Sequence, residues 1–443
     1  MHLKKPLAKL YNMNFKTAYE YLIKSYGSGQ KKGLPLVLQA LLYMGNPQES
    51  LNIIHVAGTN GKGSICAMLA SILKSEGYKT GQFSSPHLEV INERFSINGE
   101  PISQKDFARH MQRIADISYK VLNDGTFSYF EILTLLAFSY FNEQKVDYLL
   151  LEVGIGGRLD ATNVIKKPIV SIITAIDMDH MDILGDTLEK IAYEKGGIIK
   201  SNCPVVMSNN KETVYNVIKT IAKEKCSSIY FAEQIEAINI KSDLKNTCFA
   251  VNSKFYNNIK IKLNLLGQYQ IENAQTALMT CYVLNSLGHK IGIKSILQGF
   301  KNVSWHGRME VISHNPLIIL EGAHNVQGAK MAAEFLKSID IKTTLVIGML
   351  LDKEYTKIVN ILAGAVDVII FTKPNYDFKA VSPTQLALTL KHDNTYFIEH
   401  DHKNALKLAQ KITDNDGLIF CTGSLYLIGD IRQTLKNKGF NKI

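Results

Sequence analysis

Leu51-Asn52-Ile53-Ile54-His55-Val56-Ala57-Gly58-Thr59-Asn60-Gly61-Lys62-Gly63-Ser64 is the stretch on which the fold turns. Residues 51–57 form a nearly unbroken apolar run of strand length, the pattern of a strand buried on both faces of a parallel sheet. A glycine-rich turn follows, and a helical pattern then runs to about Glu76. A strand feeding a helix through such a turn leaves backbone N–H groups free to cradle phosphate at the positive helix end. Lys62 is placed to neutralise the β- and γ-phosphates, and Ser64 to sit beside a magnesium ion. The spacing is not the usual G-x-x-x-x-G-K-[ST], because Gly63 follows the lysine and Ser64 comes one residue later. Gly58, Thr59, Asn60, Gly61, Lys62, Gly63 and Ser64 together read as a nucleotide site. The plain alternative is a glycine-rich turn with a solvated lysine.

Apolar runs alternate with helical patterns on either side of this loop, the signature of a parallel α/β sheet. A helix near 128–144 leads to a strand at 146–153, and a further strand at 168–176 precedes a helix at 187–195. From about 228 to 265, short strands and polar turns predict a small antiparallel patch, followed by helices near 270–286 and 292–300. The composition shifts between Asn302 and Arg308, and a second, Rossmann-like α/β series begins. Its strands are expected near 316–321, 343–348, 367–371, 395–398 and 417–421. Two domains are therefore expected, 1–304 and 305–443, with a frayed tail after about 437.

A chain of 443 residues is too long for one core, since domains usually hold about 100–200 residues. Hydrophobic residues at 46% and charged residues at 20% are the balance of a soluble globular protein. Mean hydropathy is −0.02, and no apolar run reaches the roughly 20 residues of a membrane span. The lysines and asparagines among the first residues break up any signal-peptide core. Six dispersed cysteines with no C-x-x-C pair argue against a zinc knuckle or disulfide framework and point to a reducing cytoplasm. The net charge of +10 suits an anionic small substrate or a solvated lysine-rich surface. Basic and aromatic residues do not interleave as on a nucleic-acid platform, so neither nucleic acid nor membrane is expected as a partner.

Other strand ends carry candidate chemistry. Glu152 closes the apolar strand at 146–153, where open α/β sheets bind ligands, and is either a metal ligand or a salt-bridged carboxylate. His180 follows the strand at 168–176 and is either a second ligand or a surface or capping residue. Lys195, before Gly196-Gly197, reads by itself as the cationic last turn of a helix with a glycine stop. In the second series, Glu321 and His324 lie at a strand end that opens a helix, where His324 either serves the site or caps the helix. Arg308, at the domain joint, is a bidentate phosphate clamp or a linker salt bridge.

The ordered set Gly58–Ser64, Ser84-Ser85-Pro86-His87-Leu88, Glu93-Arg94, Leu151-Glu152-Val153-Gly154, Gly156–Asn163, Asp179-His180, Glu194-Lys195 and Gly322-Ala323-His324-Asn325 resembles the folylpolyglutamate synthase/dihydrofolate synthase family of Mur ligases. The resemblance runs from about Gly33 to Leu427. It implies a cytoplasmic, monomeric, ATP-dependent ligase that joins L-glutamate to the carboxylate of tetrahydrofolate, and to dihydropteroate, through an acyl phosphate. By motif position, Lys62, Glu152, His180 and Lys195 would carry the catalysis. Two magnesium ions would be held by Ser64, Ser85, Glu152 and His180, supported by Lys195 as a carbamate. Asn273, Arg308, Glu321 and His324 would join the phosphate loop in binding ATP, with Glu321 in the place of a ribose-binding aspartate. Ser84, Pro86, His87, Leu88 and Arg94 would shape the folate pocket. The family's Trp-Pro-Gly-Arg linker reads Trp305-His306-Gly307-Arg308, and without the proline a freer hinge is expected.

Two other activities compete. A cell-wall Mur ligase shares the chemistry, but a loop beginning at Gly58 leaves too little chain before it for a nucleotide-sugar domain. A P-loop protein acting on nucleic acid, or a motor, would need a second acidic motor motif, an arginine finger and a nucleic-acid surface, and the sequence points to none of them.

Overall fold

A computed structural model describes residues 13–28, 33–122, 126–376 and 379–437; the expected frayed tail lies outside them. The chain forms two compact units. The first holds residues up to Ser85, Ile91–Ala232 and Met279–Gly299; the second holds Pro86–Val90, Glu233–Leu278 and everything from Phe300 onward. The chain thus passes between the units several times, and its last passage falls just before the compositional shift at Asn302.

The first unit is built on an eight-stranded sheet: β1 (Ile53–Ala57), β2 (Thr80–Phe83), β3 (Phe95–Ile97), β4 (Glu100–Pro101), β5 (Tyr148–Glu152), β6 (Val170–Ile173), β7 (Val205–Met207) and β8 (Ile229–Phe231). The spatial order is β4-β3-β2-β5-β1-β6-β7-β8. Pairing is parallel from β2 to β8 and antiparallel for β3 and β4 at one edge. Every residue of β1, β2, β5 and β6 is buried, as the apolar runs of β1 and β5 require for central strands covered on both faces. One face packs on helices Gln104–Leu122 and Tyr129–Glu143 through Phe107, Met111, Phe138 and Phe141. Farther along the same face, Ala57, Ile173, Val205 and Met207 pack on Leu188–Gly196 and Glu212–Glu224 through Ile191, Val214 and Ile218. Each such side chain stabilises the fold by about 1.5–3 kcal/mol. Register aligns Val56 with both Glu152 and Ile172, so β1, β5 and β6 end at one level and present their C-terminal loops together.

The strand at 229–231, read as the start of the antiparallel patch, instead joins the large sheet in parallel beside β7. Its three residues are too few for periodicity to distinguish the two pairings. The patch itself is β9 (Ala237–Ser242), β10 (Thr247–Val251) and β11 (Ile259–Leu263), antiparallel in the order β11-β10-β9.

The second unit carries a sheet of β12 (Glu310–His314), β13 (Leu317–Leu320), β14 (Thr343–Ile347), β15 (Val368–Phe371), β16 (Thr395–Ile398) and β17 (Leu418–Thr422), in the order β12-β13-β17-β14-β15-β16. All its pairings are parallel except that of β12 with β13. The expected α/β series is present, with β12 added as an antiparallel edge. No helix among the described residues is long and apolar enough to cross a membrane.

Candidate active site

The candidate phosphate loop leaves β1 at Gly58, whose φ is +154°. A Cβ there would stand 1.7 Å from Thr174 Oγ1, so glycine is required by the close approach of the segment after β6. That segment pins the loop. Ala175 O accepts from Thr59 N at 2.9 Å and Asn60 N at 3.1 Å, while Thr174 Oγ1 donates to Asn60 O at 2.7 Å. Thr59 Oγ1 donates to Asp177 O at 3.0 Å. The helix Lys62–Glu76 then begins, with Ser64 buried in its first turn.

Lys62 folds back on its own loop, donating from Nζ to Gly58 O and Thr59 O at 3.0 Å each. Lys195 reaches the same Gly58 carbonyl from Nζ at 2.8 Å. It does lie in the last turn of its helix, but it is buried rather than facing solvent as a terminal cation would. Burial, followed by the nearby charge of Lys62, lowers its pKa to about 7. Two amines thus meet at one carbonyl, and the buried one is readily neutral.

Glu152 ends β5 as a buried carboxylate, and its Oε2 accepts from Ser85 N at 3.3 Å. The glycine loop after Val153 is shaped by Asp160, which stands in the Gly156–Asn163 motif but has no role assigned from sequence. Asp160 Oδ2 accepts from Gly154 N at 3.1 Å and Ile155 N at 3.2 Å. Its Oδ1 accepts from Thr162 N at 2.9 Å and Thr162 Oγ1 at 2.6 Å. Thr162 Oγ1 also lies 2.9 Å from Nε2 of His55, whose burial, with the charge of Lys200, lowers its pKa to about 3. The threonine proton goes to the carboxylate, so neutral His55 donates from Nε2. No local pattern in Asp160-Ala161-Thr162-Asn163 announces this arrangement, because its far end lies 107 residues away.

His180 sits in the left-handed region, φ 49°, as the N-cap residue of the short helix Met181–Leu184. Its side chain makes no capping hydrogen bond, and Nε2 lies 3.9 Å from Asp179 Oδ2. Glu152 and the hydroxyls of Ser64 and Ser85 are hard oxygen donors suited to magnesium, which takes one or two carboxylates and completes its shell with water and phosphate. No cluster of three or more His, Cys, Asp or Glu residues among the described residues could hold a metal by itself. The donor set therefore fits an ion brought with nucleotide rather than a closed protein cage.

The expected folate segment divides. Ser84 and Arg94 remain in the first unit, with Ser84 N donating to Arg94 O at 3.1 Å. Arg94 is buried with its guanidinium 5.6 Å from the Tyr129 ring centre, and Tyr129 lies 4.0 Å from Tyr26. Phe130, next to Tyr129 in sequence, packs on Phe83. This aromatic cluster is not legible in sequence, because Tyr26, Phe83 and the Tyr129-Phe130 pair belong to three separate elements. Pro86, His87 and Leu88 belong to the second unit. There Leu88 lies against Gly307 and Gly429, and Glu89 pairs with Arg432 and, at 2.7 Å, with Lys436.

Among the second-unit candidates, Asn273 is buried and donates from Nδ2 to Gln270 Oε1 at 2.9 Å. His324 Nδ1 donates to Gly322 O at 2.8 Å. The following helix, Val326–Ser338, is capped by Asn325, which accepts from Gly328 N at 2.8 Å, so His324 is not the cap. Glu321 Oε2 accepts from Tyr269 OH at 3.0 Å and Met309 N at 2.8 Å. In the linker stretch, Glu310 accepts from Gly307 N at 2.9 Å, and His306 Nδ1 lies 2.8 Å from the same carboxylate.

The sequence matches the Mur ligase middle domain over residues 56–281 and the Mur ligase glutamate ligase domain over 307–425. It is 33% identical over 423 residues to the Bacillus subtilis dihydrofolate synthase/folylpolyglutamate synthase, covering 92% of this chain and 96% of that one. It is 32% identical to the Lacticaseibacillus casei folylpolyglutamate synthase, covering 90% and 93%. In structure it resembles Mycobacterium tuberculosis folylpolyglutamate synthase complexed with ADP, with TM-score 0.87, 27% identity, and coverage of 97% and 98%. Escherichia coli FolC in complex with DHPP and ADP aligns with TM-score 0.84 at 27% identity, covering 96% and 98%. Phosphate loop, strand-end carboxylate, buried lysine and near full-length similarity agree: this chain belongs to the folylpolyglutamate synthase/dihydrofolate synthase family of Mur ligases.

Proposed function

We infer that this chain is an ATP-dependent ligase that joins L-glutamate to the carboxylate of a folate. The observation that carries the reading is the meeting of Lys62 and Lys195 on Gly58 O in a phosphate loop level with Glu152. A folate carboxylate oxygen attacks the γ-phosphorus of ATP, ADP leaves, and an acyl phosphate forms. The glutamate amine then attacks the acyl carbon, loses its proton, and phosphate departs with the C–O bond. Each step brings anions together, so fixed positive charge is the main requirement. Lys62 exchanges its two loop carbonyls for phosphate oxygens, and Gly58–Ser64 supply backbone N–H groups. Asn273, Arg308 and His324 are proposed as the second unit's nucleotide residues, with Glu321 acting beside Arg308.

Magnesium, when bound, supplies further charge neutralisation for the transferring phosphoryl group. Ser64, Ser85, Glu152 and His180 would hold it, as one or two ions. Lys195 is proposed to act as a carbamate: an amine with a pKa near 7 is largely neutral at physiological pH and can take up carbon dioxide. Protonation blocks that uptake, so turnover is expected to fall as pH drops through about 7. At fixed pH above 7, stripping carbon dioxide should lower turnover and adding bicarbonate should restore it. A rate indifferent to both treatments would remove Lys195 from this role.

Tyr26, Tyr129 and Phe130 offer aromatic surface suited to a flat substrate, and buried Arg94 brings positive charge to the Tyr129 ring. That supports dihydropteroate as a second acceptor, with Ser84, Pro86, His87 and Leu88 as further folate contacts. The six unpaired cysteines support a reducing compartment. We take the working form to be a monomer acting on small molecules, without nucleic acid. The deciding experiment is phosphate release with Mg-ATP and L-glutamate, with tetrahydrofolate and dihydropteroate in separate reactions and mass spectrometry of the products. Products one glutamate heavier from both acceptors establish a bifunctional enzyme. Reaction of tetrahydrofolate alone makes it a polyglutamylase, and reaction of neither overturns the substrate.

A further inference from the structure

Glu321 has little acceptor capacity left for a ribose. A carboxylate offers about four acceptor positions. Glu321 Oε2 already takes Tyr269 OH at 3.0 Å and Met309 N at 2.8 Å. The Ala323 N–H also bonds this carboxylate, and the Arg308 charge acts on it. Glu321 is buried and Tyr269 partly buried. A ribose diol gripped through both carboxylate oxygens would have to displace these partners and leave the buried Met309 amide or the half-buried phenol unsatisfied.

These contacts all gather at the turn that carries Arg308. Met309 adopts φ +46°, an unfavourable conformation for a residue with a side chain, and its N–H is the one held by Glu321. Gly307 O accepts from Gly322 N at 2.8 Å and from Arg308 Nη1 at 3.2 Å. The guanidinium lies so close over Gly322 that a Cβ there would stand 1.9 Å from Nη1. The carboxylate, the strained residue and the arginine form one built turn, with the Tyr269 hydroxyl as its outer brace.

We propose that Glu321, braced by Tyr269, is a positioning residue that fixes Arg308 for nucleotide phosphate and does not read the ribose. The inference rests on the ATP reading above and on Arg308 as its phosphate ligand. It is tested by calorimetric titration of ADP and 2′-deoxy-ADP into wild type, Tyr269→Phe, Glu321→Gln, Arg308→Ala and the Tyr269→Phe/Arg308→Ala double variant. Tyr269→Phe and Glu321→Gln should each weaken both nucleotides by about tenfold, the scale of one buried hydrogen bond, leaving the ratio between them within about twofold of wild type. Tyr269→Phe should add no loss to Arg308→Ala, because its effect passes through that arginine.

If Glu321→Gln weakens ADP alone and erases its advantage over the deoxy form, Glu321 reads the ribose and the proposal fails. It fails equally if Tyr269→Phe costs as much without Arg308 as with it, a sign of packing alone. Should Glu321→Gln not fold, Tyr269→Phe and the double variant still decide. Wild-type protein that binds neither nucleotide overturns the ATP reading and this inference together, whereas a ribose-specific loss overturns this inference alone.

Discussion

Replacing Lys62 with alanine is expected to lower turnover by at least about a hundredfold, the scale of losing a transition-state charge partner. Within the loop, Lys62 Nζ donates to Gly58 O and Thr59 O at 3.0 Å each. Both acceptors are solvable by water, so its loss should leave the fold largely intact; the missing charge is felt when anions meet during phosphoryl transfer. The variant carries a second signature. Lys62 is the second-largest cause, after burial, of the lowered Lys195 pKa. Without it, the Lys195 amine holds its proton to higher pH, so the residual activity should lose its acid limb at a higher pH than wild type. Steady-state rates across pH 6–9, an interval chosen to bracket the Lys195 value, read both effects. Near-normal turnover would remove Lys62 from the phosphate site.

Gly58→Ala is expected to disable the loop by sterics rather than charge. The added Cβ would meet Thr174 at 1.7 Å from Oγ1, 2.8 Å from Cβ and 3.1 Å from the main-chain Cα. The last atom cannot rotate away, so either the loop or the end of β6 must shift. Overpacking of this kind costs about 3 kcal/mol, and here the strain falls on the hydrogen bonds that Ala175 and Thr174 make to Thr59 and Asn60. Nucleotide affinity should drop with stability, by calorimetry and thermal melting respectively. Adding Thr174→Ala removes the nearest clashing atom and should restore part of the stability, while the lost Thr174–Asn60 hydrogen bond keeps affinity low. Full affinity in the single variant would mean the loop tolerates movement there.

Asp160 illustrates what periodicity and motif spacing leave out. Nothing in its neighbourhood distinguishes it from a turn aspartate that caps its own short segment, which it also is. Its reach to Gly154 and Ile155 and, through Thr162, to His55 exists only once β1 and β5 are paired. The division of the Ser84–Arg94 segment is similar: Ser84 and Arg94 stay with the large sheet while Glu89 is taken by Arg432, 343 residues away. Strand β8 was assigned to the wrong sheet because three residues carry no usable period.

The sequence by itself determined the alternation of strands and helices, the glycine turn between β1 and its helix, and the carboxylate closing β5. These are local properties: apolar runs of strand length, backbone freedom at glycine, and the rule that open α/β sheets present ligands at the carboxyl ends of their strands. Only the tertiary structure decided the state of the groups that meet there. Lys195 is an ordinary helix-end lysine until burial and Lys62 bring its amine to Gly58 O, 137 residues away in the chain. Glu321 is a strand-end acid until Tyr269 and Met309 occupy it. Desolvation and hydrogen-bond saturation are set by neighbours distant in sequence, and those are what turn a residue type into a chemical role.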